Sequence, residues 1–564
     1  MTTRVEAMAG WAADLCFEDI PASVIELARA QRKSVLGAIS ASIKDAAAQR
    51  VLGAVAAFAC DGPVPLVGTD RTCRPDDAIY AGAAMSIALD FDDYVCFGHT
   101  GHSAVLVPLF LAAETNSSGH TQLVAQVIAN EVGARLGGAC LIGPQNGQLW
   151  SFIHAAEGAL AAAKLFELDA AATAHALALS LYQAPRATIP GFMAPDSKLL
   201  TAAEPTLCGV RAARLAANGV TGPLDVLDHP DGFLSAFTHA PIRGMLSGLG
   251  DGWATKTLCV KLYPGCAYLD TTLDALAELG PPTDGEVDSI TVEVGMLTQG
   301  MDAMSAEYAA TDGSPPTPVT INFSISWNVA VMLLAGEVGP DQLNTEWLAD
   351  NADALSLLNE KVRVSHDWEL TASSASAFNR LVPVDALIAE GGLGSLSRTF
   401  SLAKNRGRIP SLYRVDPLGT LRDLRGLTQV LDLRSLAMAS PGLIAAMVRQ
   451  GLGAFPGGIK WEHPAGSTQA TKFWDPESLD KFVTRFPARV KIKAGGKEEA
   501  VLVATPRGGC GHPDFGPLEA ANQKLERWGP RMWGSKGAAM LARAVEADEA
   551  HLWKQLVPAP EEES

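Results

Sequence analysis

The sequence predicts a mainly α fold with an α+β part: an all-helical domain interrupted by an inserted α+β lid. Three observations predict it. Alanine-rich segments with apolar residues three and four apart recur over residues 1–255, the pattern of closely packed helices. Near Gly250 the texture changes to alternating polar and β-branched residues, which reads as strands. From Leu518 to Leu556 the helical pattern returns. The expected domains are therefore 1–255, a lid over 256–515, and a return to the helical domain over 516–564.

Taken in order, the helical segments are Val24–Ser42, Ala83–Asp90, Ala104–Glu114, Leu123–Leu141, Ala155–Phe166, Ala171–Ser180 and Gly209–Asn218. Gly62-Pro63 and Gly222-Pro223 punctuate them, as residues that stop or turn a helix do. In the lid, Gly285–Gly295 alternates as a strand, Val329–Leu334 reads as a helix, and Val362–His366 alternates again. Ala488–Ala494 and Glu499–Ala504 form a hairpin across Gly495-Gly496. Residues 372–486 differ from their surroundings: Pro410–Asp423 is rich in proline and charge, Leu431–Arg449 is helical, and Gly451–Gly458 is glycine-rich.

Composition narrows the function. The formal net charge of −18 repels nucleic acid and anionic lipid. No apolar run reaches the ~18 residues a membrane helix needs, Ala104–Ala113 being the longest near-candidate. The N-terminus carries Glu6 and Asp14 and does not read as a signal peptide, so a cytoplasmic protein is expected. Nine cysteines are scattered without a CxxC pair, which argues against a zinc ribbon or a four-cysteine iron–sulfur site.

Several stretches could carry chemistry. Ala88–His102, ALDFDDYVCFGHTGH, holds Asp90, Asp92 and Asp93, then His99 and His102. Asp90 and Asp93 can share a helix face, and Gly98 and Gly101 let the chain bend to present the histidines. A carboxylate beside an imidazole tunes and orients the ring for acid/base work. HxxH without further context is weak as a metal pair, and no metal is expected. Lys261-Leu-Tyr-Pro-Gly-Cys266 lies at the junction of helical and α+β parts, where a cleft is expected; Cys266 there reads as a structural thiol. Lys198 precedes a helix, a place that favours anions. His154 opens an apolar helix.

In their order along the chain, these landmarks resemble the MmgE/PrpD family, which includes 2-methylcitrate dehydratase, cis-aconitate decarboxylase and an epimerase of small dicarboxylates. The residues carrying the resemblance are Leu89–Asp93, His99-Thr-Gly with Leu106–Glu114, Ala129–Leu136, His154, Lys198 eleven residues before Gly209, Gly219–Pro223, Lys261–Cys266, Asn322–Trp327 and Pro506–Gly509. It covers most of residues 1–370 and 487–560. The chain departs from the family pattern at Tyr94 (usually Thr), Thr201, Asp270 (usually His) and Trp327 (usually Tyr), and residues 372–486 have no counterpart.

The resemblance implies a homodimer with its site between helical domain and lid, working without a cofactor. It implies a lyase, dehydratase or decarboxylase in type, acting on a small carboxylate by proton transfer next to a carboxylate. An isomerase or epimerase, a C–C bond hydrolase, and an inactive relative that binds a carboxylate or a partner protein are the alternatives. The expected roles follow. Lys198 and Lys261 hold substrate carboxylates. His99 is the principal acid/base, oriented by Asp90, and His154 is a second proton carrier. Tyr94, His102, Asp93, Tyr263, Cys266, Asp270 and Trp327 line the substrate. The departures at Asp270 and Trp327 favour a substrate with fewer negative charges than citrate. Lys404, Arg406 and Arg408 of the inserted segment could replace cations lost from the core.

Overall fold

The computed structural model describes residues 2–96, 98–143, 151–281, 287–309, 317–383, 390 and 473–559. Apart from Leu431–Arg449, which lies outside the described residues, the helical segments read from sequence are present, most of them longer than their apolar cores. They include Ala22–Ala41, Pro75–Ile87, Leu106–Thr115, Gly119–Ala139, Ser151–Leu165, Ala170–Leu181 and Leu200–Ala217. Small residues set how closely they pack. A Cβ on Gly209 would stand 2.1 Å from the Ala155 carbonyl, and one on Gly158 2.5 Å from that of Thr206. Helices Ser151–Leu165 and Leu200–Ala217 therefore touch backbone to backbone, which only glycine permits. The returning helices Pro517–Trp528 and Pro530–Glu546 pack against Ala22–Ala41. At that contact a Cβ on Gly37 would meet the Lys524 side chain at 2.9 Å.

Eight strands are described. β1 (Val64–Pro65) and β2 (Thr72–Cys73) form a small antiparallel pair. β3 (Asp93–Val95) pairs antiparallel with β4 (Leu258–Val260), Tyr94 opposite Cys259. The lid sheet has the order β6-β5-β7-β8, from β5 (Val287–Val294), β6 (Val362–His366), β7 (Ala488–Ala494) and β8 (Lys497–Val503). β5 and β6 are parallel; the β7–β8 hairpin turns at Gly495 and Gly496, both at positive φ. Inward residues Ile290, Val292, Val294, Val490 and Ile492 pack with helices Asp270–Leu279 and Ile325–Ala335 in one apolar cluster. The middle of the 372–486 segment, with Lys404, Arg406 and Arg408, lies outside the described residues. Its described ends include helix Trp368–Phe378 and the buried pair Phe473 and Trp474.

A buried carboxylate fastens the segment before β4 to the helical core. Glu131, fully enclosed on helix Gly119–Ala139, accepts from the amides of Ala254 and Thr255 (both 2.8 Å) and from the Thr255 hydroxyl (2.7 Å). Arg135 closes the group at 2.6 Å. This fixes the segment that leads into β4. No described helix is long and apolar enough to cross a membrane.

Candidate active site

The described residues from Ala88 to His102 are buried rather than part of a solvated loop. Helix Pro75–Ile87 ends three residues earlier than the sequence suggests. Asp90 takes a left-handed backbone, φ 55°, tolerated by Asp at a turn, and the chain then enters β3. Asp90 and Asp93 therefore do not share a helix face. The bend before His99 also differs from expectation: it is made at Cys96, φ 56°. Gly101 is needed for closeness, since a Cβ there would lie 2.5 Å from Asp93 Oδ2.

Pairing of β3 with β4 places Lys261, just past β4, beneath this turn. Its Nζ donates to the Asp90 carbonyl (2.8 Å) and to Asp92 Oδ1 (2.5 Å), and lies 3.6 Å from Asp90 Oδ2. Lys198, on the turn Asp196–Leu199, forms an ion pair with Asp90 Oδ1 at 2.9 Å and sits 4.9 Å from the Phe323 ring centroid. With its amide oxygen turned inward, Asn322 accepts from Lys198 Nζ at 3.1 Å. Both lysines are wholly enclosed. Burial alone would raise the Asp90 and Asp92 carboxyls; the lysines around Asp90, and His99 with Lys261 around Asp92, outweigh it and hold both low. Burial opposes charge on Lys261 too, but Asp90 and Asp92 leave its proton affinity raised. Such a cluster is sustained by mutual pairing.

His99 Nδ1 meets Asp92 Oδ2 at 2.6 Å. The carboxylate that orients His99 is thus Asp92, not Asp90 as the sequence suggests, because Asp90 is turned away toward Lys198. His102 Nε2 lies 3.1 Å from the same Asp92 oxygen, off the line of a straight hydrogen bond, and its Nδ1 meets Ser86 Oγ at 2.7 Å. Burial lowers His102 to about 4, so it stays neutral. Its ring stands edge-on to that of His154, centroids 5.5 Å apart. His154 Nδ1 reaches Ser103 Oγ at 3.0 Å and lies 3.4 Å from Glu157 Oε2. Two hydrogen-bonded groups, His99 with Asp92 and His154 with Ser103, thus flank His102, whose ring touches that of His154 without a hydrogen bond.

The remaining residues expected at the site divide. The Tyr94 ring is 6.0 Å from that of His99. The Cys266 amide donates to the Asn322 carbonyl, the residue facing Lys198, and burial pushes its thiol up to about 12, in keeping with a structural thiol. Trp327 packs in the lid cluster that holds Phe192 and Phe323, the rings flanking Lys198. Asp93 turns the other way, accepting from Gln31 at 2.8 Å. Tyr263 donates to Asp274 at 3.0 Å, and the Arg507 amide reaches the other Asp274 oxygen at 2.8 Å. Asp270, one helical turn before Asp274, is buried with Oδ1 unpartnered.

Sequence reasoning passed over Asp92 as a partner, Ser86, Ser103, Glu157, and Lys524. Asp92 sits in the quoted motif, where no sequence signal separates it from Asp90. Lys524 gives no signal: it looks like a solvated position of an amphipathic helix, yet it is buried, 3.9 Å from the Phe91 ring centroid and 3.4 Å from the Asp92 carbonyl. Among the described residues no group of three or more His, Cys, Asp or Glu is placed to hold a metal.

The MmgE/PrpD N-terminal domain model matches residues 6–243, and the MmgE/PrpD C-terminal domain model residues 263–386. A cis-aconitate decarboxylase-like protein, oryM, of Aspergillus oryzae is 26% identical over 396 residues, 64% of this chain and 79% of that one. Cis-aconitate decarboxylase of Aspergillus terreus is 26% identical over 292 residues, 48% of this chain and 58% of that one. The match to this second relative thus spans less than two thirds of its length.

Proposed function

We propose, from the premise that this chain belongs to the MmgE/PrpD family, that it is a lyase of the dehydratase or decarboxylase type. Its substrate is a small carboxylic acid, and its first step is proton transfer at the carbon beside a carboxylate. The observation that carries this reading is His99 held at Nδ1 by Asp92, next to the Lys261–Asp90–Lys198 cluster.

Asp92 fixes the tautomer and orientation of His99, so Nε2 is the nitrogen that takes the proton. The substrate carboxylate lies against the lysines. As the proton leaves, charge spreads into that carboxylate, and preorganised ammonium groups in a dry site stabilise it. His154, backed by Ser103 and Glu157, returns a proton or protonates the leaving hydroxyl. The lyase works as a homodimer and without a cofactor in this reading.

The test is proton NMR in D₂O with small mono-, di- and tricarboxylates, including 2-methylcitrate and cis-aconitate. Lys261→Ala is the control. Exchange of the α-proton with loss of water or carbon dioxide supports the lyase. Exchange without net change makes it an isomerase. No exchange and no binding across the panel rejects the reading.

A further inference from the structure

Away from the candidate active site, one buried charge in the helical core lacks a counter-ion. Arg32 lies on helix Ala22–Ala41 and is only 3% exposed. Its Nε donates to Gln126 Oε1, on helix Gly119–Ala139, at 2.7 Å. Nη1 and Nη2 are enclosed, and among the described residues neither has a hydrogen-bond partner. A guanidinium only donates, and most of its N–H bonds lie on these two atoms. Buried donors are rarely left unmet in a folded protein, and a buried charge left unpaired is costly.

The groups around Arg32 are already committed. Gln126 spends its amide nitrogen on the Ala28 carbonyl (2.8 Å) and on Gln31 Oε1 (2.9 Å). Gln31 in turn donates to Asp93 Oδ1 at 2.8 Å, so these carboxamides are held in one orientation. The nearby carboxylates are taken as well. Asp548 accepts from two nitrogens of Arg29, Nε at 2.9 Å and Nη2 at 2.5 Å, with His120 Nε2 3.8 Å away. Glu546 pairs with Lys33. The Asp548 segment is fastened to the helix that carries Gln126: one turn earlier, Gln122 donates to the Ala550 carbonyl at 2.8 Å. Arg29 and Arg32 are three residues apart on their helix and so share a face, with one carboxylate between them. Burial lowers Arg32 to about 10, so it keeps its proton at neutral pH and its positive charge stands unmatched.

We propose that Arg32 forms a buried site for one small monovalent anion of the halide class, held by Nη1 and Nη2 between helices Ala22–Ala41 and Gly119–Ala139. The single unmatched charge sets the valence. A water would meet the free donors and leave the charge uncompensated, whereas a chloride-sized ion meets both. An anion that binds the folded chain alone stabilises it, so it acts as a structural ion of the helical core.

Bromide, which scatters X-rays anomalously, is the probe. Crystals of the intact protein grown in sodium bromide should show an anomalous peak within ion-pair reach of Arg32 Nη1 and Nη2. In solution, at constant ionic strength with gluconate as the balancing anion, the melting temperature should rise by about 1 °C for each ten-fold of bromide above its dissociation constant. Arg32→Gln removes the charge and should abolish that rise; if this variant does not fold, the peak in the native protein decides. No turnover is needed, so the outcome is independent of the lyase reading. A water in place of the peak, shared with Gln122 Oε1, which also lacks a partner, overturns the proposal. So does a peak without a melting rise, which is an adventitious ion only, or an equal rise in Arg32→Gln.

Discussion

His99 Nδ1 and Asp92 Oδ2 lie 2.6 Å apart, while the other Asp92 oxygen accepts from Lys261. One carboxylate therefore orients the base and anchors a cation. Because it does both, its loss and the loss of its partners should look different.

His99→Gln should lower kcat on the true substrate by ~10²–10⁴-fold, the usual size of a positioned acid/base contribution. The melting temperature should move little. Asp92→Asn should lower both rate and stability, since Lys261 loses a buried partner, at a cost of about 3–5 kcal/mol. Rates and urea melts on both variants check this; equal stability loss in the two would refute it.

Lys198→Met leaves Asp90 facing only Lys261, and Asp90→Asn leaves Lys198 without its carboxylate. Each should destabilise by about 3–5 kcal/mol. The double variant should cost less than the sum by ~0.5–3 kcal/mol, as for groups in one network. A double-mutant cycle from denaturant melts decides it.

Lys524 and Asp93 give a pH signature. Burial lowers Lys524 to about 7 and raises Asp93 to about 7. Between the ordinary carboxylate range and pH 7 the folded Asp93 holds a proton the unfolded one has lost, so stability falls as pH rises. Above pH 7 the unfolded Lys524 holds a proton the folded one lacks, so stability rises with pH up to the ordinary lysine range. Thermal melts across pH should show a trough near pH 7 that shrinks in Asp93→Asn/Lys524→Met. An unchanged trough would remove this pair as its cause.

Glu131→Gln should cost about 3–5 kcal/mol, because it leaves Arg135 buried and unpaired. It should also loosen the segment into β4. Hydrogen exchange should quicken at Ala254 and Thr255, and activity should fall with it. Unaltered protection of those two amides would show that the segment is held by other contacts.

Helices, lid strands and hairpin were legible because their periodicities of 3.6 and 2 are local. Lys198, Lys261, His99 and His154 were legible as residue types in motif order. Their pairing was not. Nothing near Asp92 in sequence says that it, rather than Asp90, faces His99. That depends on the positive φ at Asp90, which turns its side chain toward Lys198. β3 and β4, three residues each, are too short to show alternation. Lys524 escaped because a buried lysine on an amphipathic helix looks like its exposed neighbours until the facing helix supplies Gly37.

The pairing of β3 with β4 joins positions far apart in the chain, and the Val260 amide is in turn bonded to the Gly508 carbonyl. Closing loops of that length is slow compared with forming local helices. During synthesis the helices before Ala217 can assemble early, but His99 and Asp92 meet Lys261 only once that span has emerged, and Lys524 comes later still. On the lyase reading proposed above, a nascent or truncated chain that lacks Lys261 should be inactive even where it is already helical, and turnover should then report completed folding.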